Sequence, residues 1–225
     1  MQSASTEETG IVLQIEEKGE SFWSIAFLSG ESGLEYFLLR RSQRKARPDL
    51  FDTAEIKFSV RGSTGPRFVD DYRLRRRRTA IGKSFSRIRV ASKFATVLRK
   101  NARHLADPAA ILPICERFFD AVSEGVDLSA SYLKALYLFA NTEGYPLKED
   151  WARGLPSSSA QDFASVLKTP LGEQEISEER TDALSRSLET WLVREAHFII
   201  DPDPFEGRRA TEKSTLPSKQ RRPAE

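Results

Sequence analysis

The stretch Glu55-Ile56-Lys57-Phe58-Ser59-Val60 alternates apolar and polar residues without a break. Such a period of two fits a strand with one buried and one wet face. Working toward the N-terminus, Ile11, Leu13 and Ile15 alternate with Val12, Gln14 and Glu16. A turn at Lys18-Gly19-Glu20 leads into Phe22–Ser29, rich in strand-forming aromatic and β-branched residues. Ser29-Gly30-Glu31-Ser32-Gly33 is turn chemistry, and Leu34–Arg40 is again a strand, with Leu34, Tyr36 and Leu38 on one side. Beyond the opening stretch, Arg61–Pro66 is a turn and Phe68–Arg75 a fifth strand. Five short strands at regular spacing predict a small closed barrel such as the OB-fold, because closure removes the edges so short a sheet would expose. Strand count alone leaves an SH3-like barrel open.

From Ser84 the period changes. Ile88, Ala91, Phe94, Ala95 and Leu98 form one helical stripe; Ile111, Cys115, Phe118, Phe119 and Val122 form a second, closed by Gly125. A third helix carries Leu128, Leu133, Leu136, Tyr137 and Ala140 and stops at Gly144-Tyr145-Pro146. After a Ser-rich loop at Ser157–Ser159 comes a short helix over Phe163–Leu167, and the last helix carries Leu184, Leu188, Trp191, Leu192 and Ala196 behind Ser177-Glu178-Glu179. The expected class is therefore α+β: a flexible N-terminus over 1–8, an OB-like barrel over 9–82, an α-helical bundle over 84–200, and a disordered tail over 201–225 that is poor in apolar residues.

The net charge of +2 conceals a strong segregation. Arg40–His104 holds 20 Lys or Arg against 5 Asp or Glu, whereas Leu105–Ile200 holds 8 against 16. A chain with a basic and an acidic zone is expected to touch a polyanion with one part and something else with the other, unless both are merely solvated faces. The basic zone has two concentrations. Arg40, Arg41, Arg44, Lys45 and Arg47 lie between the third and fourth strands; Arg73, Arg75, Arg76, Arg77, Arg78 and Lys83 lie on and after the fifth. On a nucleic-acid reading these side chains neutralise phosphates and release counterions. On the competing reading the first group is a solubilising loop, and the second pairs with the acidic helices at the domain junction. Phe22, Trp23, Tyr36 and Tyr72 lie on strands, where rings either stack bases or fill a barrel; filling is the expectation for most of them.

Chemistry-bearing patterns are scarce. Cys115 is the single cysteine, so neither an internal disulfide nor a cysteine-cluster zinc site is expected. His104 and His197 are isolated, Asp70 and Asp71 point to opposite strand faces, and no phosphate-cradling Gly loop or nucleophile elbow occurs. The expectation is a non-enzymatic protein without cofactor or metal. No apolar run approaches the roughly 20 residues of a membrane span, which makes the cytoplasm the default.

The order of features resembles a known family. Thr9-Gly10-Ile11-Val12-Leu13, Gly19-Glu20 entering a strand, the Ser29–Gly33 turn, a strand running into Arg40 and a basic loop, then Leu50–Phe58, look like the N-terminal domain of the bacterial recombination mediator RecO. Tyr132-Leu133-Lys134-Ala135-Leu136 with Glu143-Gly144-Tyr145-Pro146 resembles that family's helix ending in a Gly-x-Pro turn, so the likeness spans Thr9–Leu155. It departs from the family twice: no four-cysteine zinc module follows the turn, and Arg41 stands where a glycine is usual. The resemblance implies binding of single- and double-stranded DNA, strand annealing, association with RecR, docking of the acidic tail of single-stranded DNA-binding protein, help in loading RecA, and a place at the nucleoid. The alternative is a protein adaptor whose basic zone meets an acidic partner and never nucleic acid; an unrecognised nuclease is a third class, one that predicts metal-dependent cleavage.

Overall fold

The computed structural model describes residues 6–42, 47–60 and 65–202. Five strands form the N-terminal part: β1 (Thr6–Lys18), β2 (Phe22–Ser29), β3 (Gly33–Arg40), β4 (Thr53–Val60) and β5 (Arg67–Arg76). They close in the order β1-β2-β3-β5-β4, an OB-like barrel. Every pairing is antiparallel except β3 with β5, where Phe37, Leu38 and Leu39 lie beside Arg67, Phe68 and Val69.

β1 serves two neighbours because it bends. Its first half, Thr6–Ile11, pairs with β4, its second half continues along β2, and the register shifts between Val12 and Gln14. Gly10 has partners on both sides, and a Cβ there would run into the Leu28 carbonyl oxygen and lie 2.7 Å from a Phe27 ring carbon. The expected flexible segment 1–8 is thus corrected for Thr6–Glu8, which are strand. Their backbone is held by β4, and the buried Glu8 carboxylate accepts a hydrogen bond from the Ser29 hydroxyl at 2.6 Å and another from Ser32.

Inside the barrel, Val12, Ile25, Phe27, Phe37, Leu39, Ala54, Ile56, Phe58, Val69 and Tyr72 form a separate core. The Phe37 ring meets Phe58 edge-on at 4.8 Å and Phe27 at 6.0 Å, as aromatic quadrupoles prefer. Part of the outer face of the same strands is covered: Ile11, Leu13, Ala26, Leu28 and Leu34, with Phe51 ahead of β4, turn into the core of the helices. Phe51 stacks on Phe119 at 4.8 Å. The alternation in β1 therefore separates two dry faces.

A short turn, Ile81–Lys83, leads into α1 (Phe85–Asn101), followed by α2 (Pro108–Glu124), α3 (Leu128–Thr142), α4 (Ser157–Lys168) and α5 (Glu178–Glu195). α2 starts with Asp107 accepting from the Ala110 N–H and Pro108 in the first turn, and it ends at Gly125 with φ +79°, the left-handed cap that only glycine adopts without strain. Ser177 caps α5 by accepting from the Arg180 N–H. The expected stripes face the core, with Leu128, Tyr137 and Trp191 only partly buried; Ile88 is exposed and Val97 takes its place. Ser157–Ser159, expected as loop, form the first turn of α4 behind Pro156, a position where small hydroxyl residues and a preceding proline suit a helix start. Asp201 is tied to Lys100 at 2.5 Å, and the remainder of the tail, 203–225, lies outside the described residues, as do 61–64 of the expected turn.

Candidate nucleic-acid interface

Arg40 ends β3 on its outer face, exposed, with Phe22 of β2 opposite in register. One residue on, the Arg41 N–H donates to the Ser21 carbonyl at 2.8 Å. Its guanidinium pairs with Glu17 at 2.7 Å and lies 5.5 Å from the centre of the Trp23 ring. Arg44 and Lys45 fall outside the described residues. Arg47, exposed, brings a second guanidinium to 5.5 Å from Trp23. A cation at this distance from an indole is attracted by its quadrupole, and the ring's apolar body rests on the barrel core.

The second basic group does not act as a unit. On an extended strand successive side chains point to opposite faces, and the arginines divide accordingly. Arg73 donates to Glu55 at 3.0 Å and to Asp71 at 3.0 Å, and Arg75 donates to the other oxygen of the same Glu55. Arg76 and Arg78 turn toward the helices and share Asp120 of α2. The Arg78 side chain is only 2 % exposed and also donates to the Phe51 carbonyl at 2.6 Å and the Thr53 hydroxyl at 3.0 Å. Arg78 therefore cannot reach a phosphate chain, which corrects its place among the expected DNA contacts. Lys83 lies exposed in the turn before α1.

Arg77 alone of this run joins the first group. It donates to both oxygens of Asp52, at 3.1 and 2.8 Å, and to the Arg47 carbonyl at 2.6 Å. Asp52 is fully buried and also accepts from the Tyr72 hydroxyl at 3.2 Å and the Asp49 N–H at 2.9 Å. Burial, and then the Asp52 charge, push the Tyr72 phenol far above its ordinary range, so it remains a donor. The hydrogen bond to Asp52 raises Arg77 further. These contacts fix the backbone of Arg47 from within the barrel and bring two segments 30 residues apart to one edge of its mouth.

Beside this cluster the outer face of β2, β3 and β5 carries rings. Tyr36 is 47 % exposed, Leu38 lies next to Phe68 across the parallel seam, and Phe22 meets Phe68 at 5.8 Å. Of the four aromatics singled out in the sequence, Tyr72 fills the barrel, Trp23 stands half-buried at its mouth, and Phe22 and Tyr36 face outward. Phe68 was not among them, although its alternation with the buried Val69 marks it as outward-facing. Nor was Asp52, whose role appears only when Tyr72 and Arg77 surround it.

On the helical side, a groove of about 1150 Å³ runs between α5 and the turns at Leu147–Gly154, where Arg153, Arg186 and Arg194 share the lining with Glu149, Asp150 and Glu195. Among the described residues no three His, Cys, Asp or Glu side chains group where they could hold a metal, and no helix is long and apolar enough to cross a membrane. The sequence matches no protein-family model and no curated protein at a significant level.

Proposed function

We propose that this chain is a non-catalytic DNA-binding protein of the recombination-mediator kind, which holds the phosphate backbone at the mouth of its barrel and recruits partners through its helices. The observation that carries this reading is the meeting of Arg41, Arg47 and Arg77 at Trp23, with Arg40 opposite Phe22 on the outer face that also carries Tyr36 and Phe68. The β2–β3 face is the part of OB barrels that generally meets oligonucleotides, and cations beside stacking rings suit a chain of phosphates and bases. Arg73, Arg75 and Arg76 contribute less, since Glu55, Asp71 and Asp120 already offset them.

Neutralising phosphates there lets two strands approach one another, which is the physical content of annealing. On this reading protein partners dock at the groove beside α5, where three arginines stand among three carboxylates; the tail of single-stranded DNA-binding protein and a RecR-like partner belong to the same reading, as does a place at the nucleoid. Fluorescence anisotropy with labelled single- and double-stranded oligonucleotides over a salt series tests it. The expected result is affinity that falls steeply with salt; affinity indifferent to salt, or undiminished when Arg40, Arg41 and Arg47 are replaced by Glu, overturns it.

A further inference from the structure

A cavity of about 490 Å³ opens at the barrel's mouth, lined by Ile15, Glu17, Trp23, Arg47, Leu50 and Arg77, with Pro48 and Asp49 completing it. We propose that this cavity receives one unpaired nucleobase, stacked on Trp23, with the adjoining phosphate held by Arg47, whose backbone Arg77 positions; the inference rests on the DNA-binding reading above and deepens it.

Three features of the cavity fit a nucleotide better than a bare anion. Its volume lies in the range of small-ligand sites. Its apolar walls, Ile15, Leu50 and the Trp23 ring, offer a planar ligand a face to cover. Its charges are mixed: the carboxylates of Glu17 and Asp49 line the same space as the two guanidiniums and disfavour an entirely anionic occupant. A nucleotide is neutral at the base and anionic only at the phosphate, so each part finds its match.

The stacking surface is prepared in advance. Arg41, held by Glu17 at 2.7 Å, sits over the indole but is not part of the cavity lining, so it steadies Trp23 without occupying the space. Arg47 does line it, and its backbone is anchored by Arg77, itself clamped on buried Asp52. The rearrangement on binding is thus confined to the Arg47 side chain, which moves from the indole to the phosphate, and so limited an ordering favours affinity. A base locked in a duplex cannot enter such a space without being unstacked, so the cavity gives preference to single strands.

The test measures anisotropy of a fluorescein-labelled thymidine oligonucleotide and the protein's own tryptophan emission, for the full chain and for Trp23→Leu. The chain has three tryptophans, and Trp151 and Trp191 lie in the helical part, so the difference between the two proteins isolates Trp23. Wild type should lose emission to saturation as the oligonucleotide binds, whereas Trp23→Leu should show no such loss and bind about 10-fold more weakly. A blunt duplex should raise anisotropy without the quench. Leu50→Ser, at an exposed wall position and without a change of charge, should weaken single-strand binding while leaving the duplex unaffected, and keeps the test decisive should Trp23→Leu not fold. Binding without quench, or a quench that survives in Trp23→Leu, overturns the cavity assignment alone; anisotropy that never rises overturns the DNA reading and this inference with it.

Discussion

The Arg78 guanidinium and the Asp120 carboxylate meet at 2.7 Å across the junction between barrel and helices. The arginine is buried, while the aspartate keeps 22 % of its side chain exposed. The pair locks the end of β5 to α2, and Arg78 reaches back to Phe51 and Thr53 from the same position.

Removing one partner leaves a charge stranded. Asp120→Ala should destabilise the fold by about 2–3 kcal/mol, below the 3–5 kcal/mol of a wholly dry pair because water reaches one side. Urea unfolding monitored by fluorescence measures it. Adding Arg78→Met to the same chain should recover part of the loss, since no uncompensated charge then remains; a double variant as unstable as the sum of the singles would show that the two residues act independently.

Arginines that look alike in the sequence should separate in a salt titration. Arg47→Ala, at the open mouth, should weaken binding of a single-stranded oligonucleotide and reduce the slope of log affinity against log salt by about 0.7. Arg75→Ala should change the slope much less, because Glu55 already engages that guanidinium. Equal effects of the two would mean that the Glu55 pairing does not hold in solution.

Glu55 links this patch to acid stability. A hydrogen bond with the Glu7 side chain, then Arg75, hold its carboxyl down to about 2, with Arg73 adding to the effect. An unfolded glutamate titrates near 4.3. A folded value below the unfolded one stabilises the protein above the unfolded value, and that stabilisation is lost as pH falls from about 4.3 toward 2. Thermal unfolding across this window should show a falling Tm, and Glu55→Gln should flatten the fall. An unchanged slope in the variant would place the acid sensitivity elsewhere.

The bend of β1 has its own weak point. Gly10→Ala brings a methyl against the Leu28 carbonyl and the Phe27 ring, in a place closed by β2 on one side and β4 on the other. Overpacking of this kind costs about 1–3 kcal/mol, so Tm should fall by several degrees. A neutral substitution would mean that β1 and β2 separate there easily.

How much of this was legible beforehand depends on the range of the interaction concerned. The stripe Ile111, Cys115, Phe118, Phe119 and Val122 is buried as read, and so are Ile56 and Phe58 of the Glu55–Val60 alternation, whereas Val60 is exposed at the strand's end and Glu55 is buried among arginines. The cap at Gly125 was equally plain, whereas at Ser177 only the dipole-matched Glu178 and Glu179 were read and not the serine's own capping hydrogen bond. Thr6–Glu8 looked like a polar terminus because only the partner strand β4 makes them ordered. The seam between β3 and β5 rests on three residue pairs and leaves no mark in either segment. The arginine run was read as a single feature, yet the carboxylates that divide it lie far off in the sequence, at Glu55, Asp52 and Asp120. A string of identical charges says nothing about which of them are already spoken for. Trp23 could not be assigned from alternation alone, since it stands where the barrel's inside becomes its rim.

Ile11, Leu13, Leu28 and Phe51 of the barrel and Ala91, Phe94, Phe119 and Leu136 of the helices belong to one continuous apolar body. Among the described residues that core runs without a break from the barrel into the helices. On the proposed reading it ties a strand held at the β-rich end to a partner held along α5, and loosening Phe51 from Phe119 should disturb their alignment before it disturbs either contact.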